Sequence, residues 1–409
     1  MKWNLESLRR QGSGAVLVLL ACGALACGSG RDDLSGPVIP EPPVDEGQAP
    51  TQGCSEGVSG HGALYRICFP GEWNGDLVVY AHGYVAPQRE LAIPDDVVGG
   101  QPSSSLITGM GYAYATTSYR ANGLVAPLAV DDLLELVDTI QQRYRPDPAR
   151  TVVVGFSEGG LVATLAVERH PDRFHGALGG CGPIGDFRAQ LDYIGDFRVV
   201  FDYFFPGILP GNALEIPESV RDRWEQLYVP AIVLALAAKP AAARELLSVT
   251  GAPVAGDDVR SVAETTVGLL WYNVFGTGDA QVRLGGQPFD NSNRVYSGST
   301  DDAALNAGVE RFHADSIALE GLEDFSTSGQ LRVPLVNLHT RGDPIVPFGQ
   351  ASLYADKVTR AGTTAWFSQI DVDRHGHCTF ESAELLNAFS RLWEKVGSPA
   401  STPSLQAAR

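Results

Sequence analysis

The chain has 409 residues, with 30 Lys+Arg against 48 Asp+Glu, a formal charge of −18 and a pI near 4.8. An apolar fraction of 44% with 9% aromatic residues excludes wholesale disorder, which needs low hydrophobicity. The acid excess argues against a basic face for nucleic acid or anionic lipid, and a mean hydropathy of −0.03 with one apolar N-terminal run excludes a multi-span membrane protein.

Lys2, Arg9 and Arg10 precede the short apolar run 15–26. That run is too short to cross a bilayer as a mature helix, so it reads as a cleaved export signal. Small residues lead into Cys22 and again into Cys27, and both stretches resemble bacterial lipoprotein processing boxes. Cys27 is preferred as the lipidated residue. It follows a full-length apolar region and leaves four other cysteines, an even number. Plain secretion after the same signal is the alternative. Removing residues 1–26 takes away Lys2, Arg9, Arg10 and Glu6, so −18 becomes −20. Residues 27–53 are rich in Pro, Gly and acid without an apolar period, and read as an extended tether.

From residue 54 the pattern changes. Residues 62–69 and 76–81 read as strands, as does 112–119. Val130, Leu133, Leu134, Val137 and Ile140 lie on one helical face. Residues 151–154 form a β-branched run without polar alternation, the mark of a strand covered on both faces. A helix follows at 161–169, stopped before Pro171, and then a strand at 174–178. Strands alternating with helices predict an α/β fold, a mostly parallel sheet with helices on both faces. The alternation lapses over 185–330, which is largely helical by composition. It resumes with a strand at 333–338, a helix at 348–360, a strand at 366–372 and a helix at 381–393. A core of 54–184 plus 331–396 is thus split by an inserted helical segment, 185–330. Residues 397–409 read as an unstructured tail.

The stretch Gly155-Phe156-Ser157-Glu158-Gly159 lies between a predicted strand and a predicted helix. A serine on so sharp a turn needs small neighbours two residues away on either side, and the turn exposes its hydroxyl at the sheet edge. Ser157 is therefore the candidate nucleophile. The backbone N–H of Glu158, at the helix start, is the first candidate oxyanion donor. The second is the N–H of Tyr84 or Gly83, where the strand at 76–81 runs into His82-Gly83-Tyr84. His82 itself reads as a loop-shaping residue. Asp343, in the turn Gly342-Asp343-Pro344 after a later strand, is the candidate acid. His377 is the candidate base and is preferred over His375, which is read as structural or at the rim. His339 reads as a core histidine or one beside the site.

Ser157, Asp343 and His377, in that order, resemble the triad of α/β-hydrolases, and the resemblance extends over residues 54–393. It implies the α/β-hydrolase fold, with 185–330 in the place of that superfamily's cap. GYAYATTSYRANG, GFSEGG and GHCTF are similar to exported esterases of the tannase and feruloyl-esterase kind, and to secreted prolyl-oligopeptidase-type peptidases. The tannase-like group bridges a cysteine before the serine to one after the histidine. Here Cys378 follows His377, but Phe156 precedes Ser157.

Four cysteines beyond the signal, Cys54, Cys68, Cys181 and Cys378, allow three pairings. Cys54 and Cys68 flank the first strands. Cys181 ends a strand on the same sheet edge as the histidine loop. Cys54–Cys68 and Cys181–Cys378 are the expected pairs. No metal site is expected, because the histidines lack ligand spacing, and the polar stretch 290–302 lacks the order of a calcium loop. No cofactor is expected.

The predicted activity is hydrolysis of a small-molecule or oligomeric carboxylic ester through an acyl-enzyme on Ser157. A secreted serine peptidase is the alternative. An exopeptidase of that kind needs a charge for a peptide terminus, for which Glu215, Glu218 and Glu225 are candidates. A binding module would show a broken triad. Phe201, Tyr203, Phe204, Phe205, Trp271, Tyr272 and Phe275 in the insertion suit either an apolar acyl pocket or the insertion's own core. The protein is expected to be an exported monomer, touching a membrane only through an N-terminal lipid.

Overall fold

The computed structural model describes residues 49–94, 97–98 and 101–397. The expected signal, Cys22 and Cys27, residues 27–48 of the expected tether, and the tail from 398 onward lie outside the described residues.

Eight strands form one sheet: β1 (Gly53–Val58), β2 (Leu64–Phe69), β3 (Asp76–Ala81), β4 (Ala113–Thr117), β5 (Arg150–Phe156), β6 (Gly176–Gly180), β7 (Leu335–Gly342) and β8 (Phe367–His375). Their spatial order is β1-β2-β4-β3-β5-β6-β7-β8. The hairpin β1–β2 and the pair β2–β4 are antiparallel, and every later pairing is parallel. This is the α/β-hydrolase fold. β1 was not expected as a strand of its own, since an edge strand exposed over nearly its whole length carries no apolar signal. The disulfide Cys54–Cys68 links directly opposed residues of β1 and β2.

The central strands are covered on both faces, so their side chains divide by the period of two. Leu77, Val79 and Ala81 of β3 pack with helices α2 (Ala126–Arg143) and α3 (Glu158–Arg169) through Leu133, Val137, Leu161 and Leu165. Val78 and Tyr80 point the other way. They meet Ile107 of the short helix α1 (Ser103–Gly109) and Phe389 and Leu392 of the terminal helix. α1 is too short and too rich in serine to show a helical period in the sequence.

Between β6 and β7 lies a run of helices: α4 (Phe187–Phe204), α5 (Glu218–Asp222), α6 (Val229–Ala238), α7 (Pro240–Thr250), α8 (Val259–Leu284), α9 (Asp302–Gly308) and α10 (Ser316–Gly321). They have their own core, in which Phe197, Phe201 and Phe205 meet Trp224, Ile232, Leu246 and Leu270. In the polar loop after α8, Asp290 accepts from the N–H and hydroxyl of Ser292, and Asn291 donates to Tyr296 and to the Glu310 carbonyl. Two helices close the chain, α11 (Gly349–Ala361) between β7 and β8 and α12 (Ser382–Gly397) after β8.

Candidate active site

One residue, Ser157, joins the last residue of β5 to the first of α3. Its backbone sits at φ 59°, ψ −127°, a region that costs a side-chain-bearing residue roughly 1–3 kcal/mol. The surroundings enforce it. A Cβ on Gly155 would lie 2.1 Å from the Gly159 carbonyl oxygen, and one on Gly159 would lie 2.1 Å from that of Ala81. The turn can close only with glycine at both positions. The Ser157 N–H donates to the Gly180 carbonyl at 2.8 Å, and its own carbonyl accepts from Gly160 at 2.9 Å. The hydroxyl therefore stands at a fixed point above the C-terminal edge of the sheet. Glu158 is the first helical residue, so its N–H has no acceptor within the helix.

Asp343 follows the end of β7 and is fully buried. One carboxylate oxygen accepts from the N–H groups of Ile345 and Val346 at 2.9 and 3.0 Å. The other lies 2.8 Å from Nδ1 of His377, whose Nε2 lies 2.8 Å from Ser157 Oγ. A carboxylate only accepts, so the imidazole proton belongs on Nδ1 and Nε2 faces the hydroxyl as an acceptor. His375, the last residue of β8, points elsewhere, with Nε2 3.2 Å from the Pro253 carbonyl. The strand register shifts between Val372 and His375, and such an irregularity re-aims the side chains that follow. His339 lies under the acid loop, fully buried, with Nε2 donating to Val346 O at 2.9 Å. Burial pushes its pKa down, so it packs as a neutral ring.

The loop after β3 passes on the other side of Ser157. His82 is neutral, its pKa lowered by burial. Its Nδ1 donates to Gly83 O at 2.7 Å, and its ring stacks on Tyr119 at 4.0 Å. The Tyr119 hydroxyl donates to the His82 carbonyl at 3.1 Å. His82 thus shapes the loop. A Cβ on Gly83 would sit 3.3 Å from Cβ of Ser157, so the backbone here runs against Ser157. Tyr84 is tied to the inserted segment, its hydroxyl donating to Phe275 O at 3.0 Å.

The Glu158 side chain has a role that the sequence did not suggest. It is buried, and Oε1 accepts from the Val125 N–H at 2.7 Å, just before α2. Beside it, Asp279 of α8 accepts from the Leu124 N–H at 2.6 Å. Burial, opposed by the Val125 hydrogen bond and reinforced by Asp279, pushes the Glu158 pKa up to about 8.

Ser157, Tyr84 and Glu158 line a cavity closed from the other side by the inserted helices. Its remaining wall is mostly apolar, including Ile194 of α4, Phe289, Ile345 and Val346. Of the seven aromatic residues singled out in the insertion, Tyr272 of α8 is the one that lines it. The Tyr272 hydroxyl borders Ser157, and burial, then Asp343 and Glu158, keep the phenol protonated. Phe201 and Phe205 belong to the insertion's own core. Glu215, Glu218 and Glu225 are exposed and do not line the cavity. Gln190 of α4 lines it as well, and nothing in its helical context marks it in the sequence.

The disulfide Cys181–Cys378 joins the residue after β6 to the residue after His377. With Cys54–Cys68 these are the two pairs named from the sequence, and both suit an oxidising compartment. Two groups of potential metal ligands come close together among the described residues, and neither suits a metal. The first contains the bridged cysteines themselves. In the second, His61, Asp132 and Glu135, the Arg120 guanidinium already bonds Asp132 and His61.

Residues 107–192 match the model of the prolyl oligopeptidase family, about a fifth of the chain. No curated protein matches in sequence. Among solved structures, an esterase from Aspergillus oryzae is similar with 12% identity and a TM-score of 0.44, covering 78% of this chain and 71% of that one. An esterase from Pyrococcus furiosus has 14% identity and a TM-score of 0.42, covering 84% and 89%. The acylaminoacyl peptidase of Pyrococcus horikoshii has 11% identity and a TM-score of 0.40, covering 85% of this chain. The chain spans only 41% of that peptidase's length.

Proposed function

We propose that this chain, a serine hydrolase of the α/β-hydrolase superfamily, cleaves carboxylic esters of apolar acids, with Ser157, His377 and Asp343 as its triad. The observation that carries the reading is the hydrogen-bonded run from Asp343 through His377 to Ser157 at the floor of an apolar cavity. Ser157 Oγ attacks the ester carbonyl while Nε2 of His377 takes its proton. Asp343 keeps the imidazole in the required tautomer and offsets its charge once protonated. The N–H of Glu158 and that of Gly83 or Tyr84 hold the oxyanion. Collapse breaks the ester C–O bond, and His377 returns the proton to the departing alkoxide. Water, deprotonated by the same imidazole, then attacks the acyl-enzyme. Its hydrolysis frees the acid and restores Ser157.

The leaving group must lie next to His377, which does not line the cavity. Tyr84 and Glu158, on the oxyanion side, do. The cavity is thus the acyl site. Glu158 is the one acidic residue in its wall, and a carboxyl with a pKa pushed up to about 8 is mostly protonated near neutral pH. It offers no standing anion for a peptide amino terminus, which favours esters over an exopeptidase. The second reading is a secreted serine peptidase on the same triad, supported by the match of residues 107–192 to the prolyl oligopeptidase family. The same reading places the enzyme outside the cytoplasm after export by residues 1–26, tethered by a lipid on Cys27. The two disulfides support export.

A fluorophosphonate probe, followed by p-nitrophenyl esters and aminoacyl amides, tests the proposal. Labelling lost in Ser157→Ala, with ester turnover exceeding amide turnover, is expected. Amide turnover above ester turnover would favour the peptidase, and no labelling would end both readings.

A further inference from the structure

Gly276 lies well inside α8 and is buried. Glycine weakens a helix interior relative to alanine, because it loses more backbone freedom on folding. The usual reason to keep one is a neighbour that leaves no room for a Cβ. Gly195 of α4 shows this case, since a Cβ there would lie 2.5 Å from the Phe289 ring. Gly276 does not. Beyond its own helix, a Cβ built on it would meet one atom within 4 Å among the described residues, the Tyr84 hydroxyl at 3.9 Å. Nor does its backbone take a positive φ that would call for glycine. A buried residue whose Cβ direction meets so little faces a cavity, and Gly276 and Tyr84 both line the one that holds Ser157.

Tyr272, Gly276 and Ala280 of α8 line this cavity. They are four residues apart and so share one helical face. The Tyr272 hydroxyl borders Ser157, and Gly276 stands one turn farther along the axis, roughly 6 Å. Across from them, α4 contributes Phe187, Leu191 and Ile194, which also share a face. The cavity therefore lies between the two helices. We propose that Gly276 is a specificity-determining residue: the acyl chain bonded to Ser157 passes over its Cα, and the missing side chain is the room that admits hexanoyl and octanoyl groups in preference to acetyl. A methyl group at this position stands in the path of the longer chains and leaves a chain that ends short of it untouched. The inference rests on the acyl assignment of the cavity, which ester and amide hydrolysis share, since both pass through the same acyl-enzyme.

The test uses the full chain with Gly276→Ala, Gly276→Val and Gly278→Ala. Gly278 is the control: it lies in the same helix, a Cβ on it would meet nothing within 4 Å, and it does not line the cavity. Acetyl, hexanoyl and octanoyl groups are each offered as the p-nitrophenyl ester and the p-nitroanilide. The readout is the ratio of kcat/KM for the longer acyl groups over acetyl, in which any effect common to all substrates cancels. A native ratio above one is expected. It should fall about tenfold or more in Gly276→Ala, fall further in Gly276→Val, and stay unchanged in Gly278→Ala. Both alanine variants should melt no lower than the native protein, so that a lost ratio is not a folding defect. A native ratio at or below one, an unchanged ratio in Gly276→Ala, or an equal fall in Gly278→Ala overturns the inference. Turnover of anilides alone with the expected ratios would reject the ester reading and keep Gly276. Ester turnover with the same ratio in all four proteins would keep the ester reading and reject Gly276. No turnover of either class would reject both.

Discussion

Cys378, bonded to Cys181, directly follows His377, and its sulfur lies 3.7 Å from the imidazole Nε2. Cys181 is held in turn by its own N–H, which donates to the Leu338 carbonyl of β7 at 2.8 Å. The histidine loop is thereby tied to the end of β6 and to the middle of β7, across a sequence separation of 197. The double replacement Cys181→Ser, Cys378→Ser should cost roughly 2–5 kcal/mol of stability and lower kcat more than it raises KM, because the imidazole loses its anchor. Thermal unfolding and ester kinetics, with and without reductant, measure both. Unchanged kcat in the fully reduced protein would show that the bridge does not hold the histidine.

The left-handed backbone at Ser157 separates function from stability. Ser157→Ala should lower kcat on the order of 10⁴–10⁶-fold with little change in melting temperature. Ser157→Gly should abolish activity equally but raise the melting temperature, since glycine relieves strain of about 1 kcal/mol or more at this φ. Calorimetry of the two variants side by side makes the comparison. A glycine variant no more stable than the alanine one would mean that the turn is not strained.

Asp343→Asn should lower kcat by about 10⁴-fold while leaving fluorophosphonate binding measurable. The asparagine amide can present an NH2 to Nδ1 of His377. The imidazole proton then moves to Nε2, and the ring can no longer accept from Ser157. Steady-state kinetics over a range of pH checks this, and a loss under tenfold would remove Asp343 from the proposed triad.

Glu158 makes stability depend on pH in a direction opposite to most carboxylates. Its pKa rises from an ordinary 4.5 to about 8 in the folded protein, chiefly through burial. Between those values the folded state holds a proton that the unfolded state has lost. Its contribution is therefore fully present below about pH 4.5, declines as pH rises, and is gone above about pH 8. Glu158→Gln should be more stable than the native protein at pH 9, by about 3–5 kcal/mol, with the difference vanishing near pH 4. Denaturant unfolding at both pH values tests it. A pH-independent difference would show that Glu158 is ionised in the fold throughout.

The site is legible in the sequence wherever local sterics govern it. Gly155 and Gly159 around Ser157, between a β-branched run and a helical period, already specify a strand-turn-helix whose backbone tolerates no Cβ at either glycine. The chain order of Ser157, Asp343 and His377 points to the ends of β5, β7 and β8, where the three side chains meet, and the alternation of strands and helices gives the parallel core. The sequence prefers His377 to His375, while the register shift in β8 that accompanies their different directions is announced by no residue pattern.

What the tertiary structure alone decided concerns residues far apart in the chain. The seven aromatic residues singled out in the insertion cannot be told apart by role in the sequence, and only the packing of α4 and α8 over the sheet turns Tyr272 toward Ser157 while sending Phe201 and Phe205 into a separate core. Gln190 is an ordinary polar residue in a helix until Ile345, 155 positions away, takes its NH2 group and sets it in the cavity wall. Glu158 is visible as the residue after Ser157, yet its proton is held by burial and the nearby Asp279, against the pull of the Val125 hydrogen bond. Backbone sterics act over a few residues and can be read from them. Desolvation and hydrogen-bond satisfaction depend on which distant segments share a wall, and only the folded chain determines that.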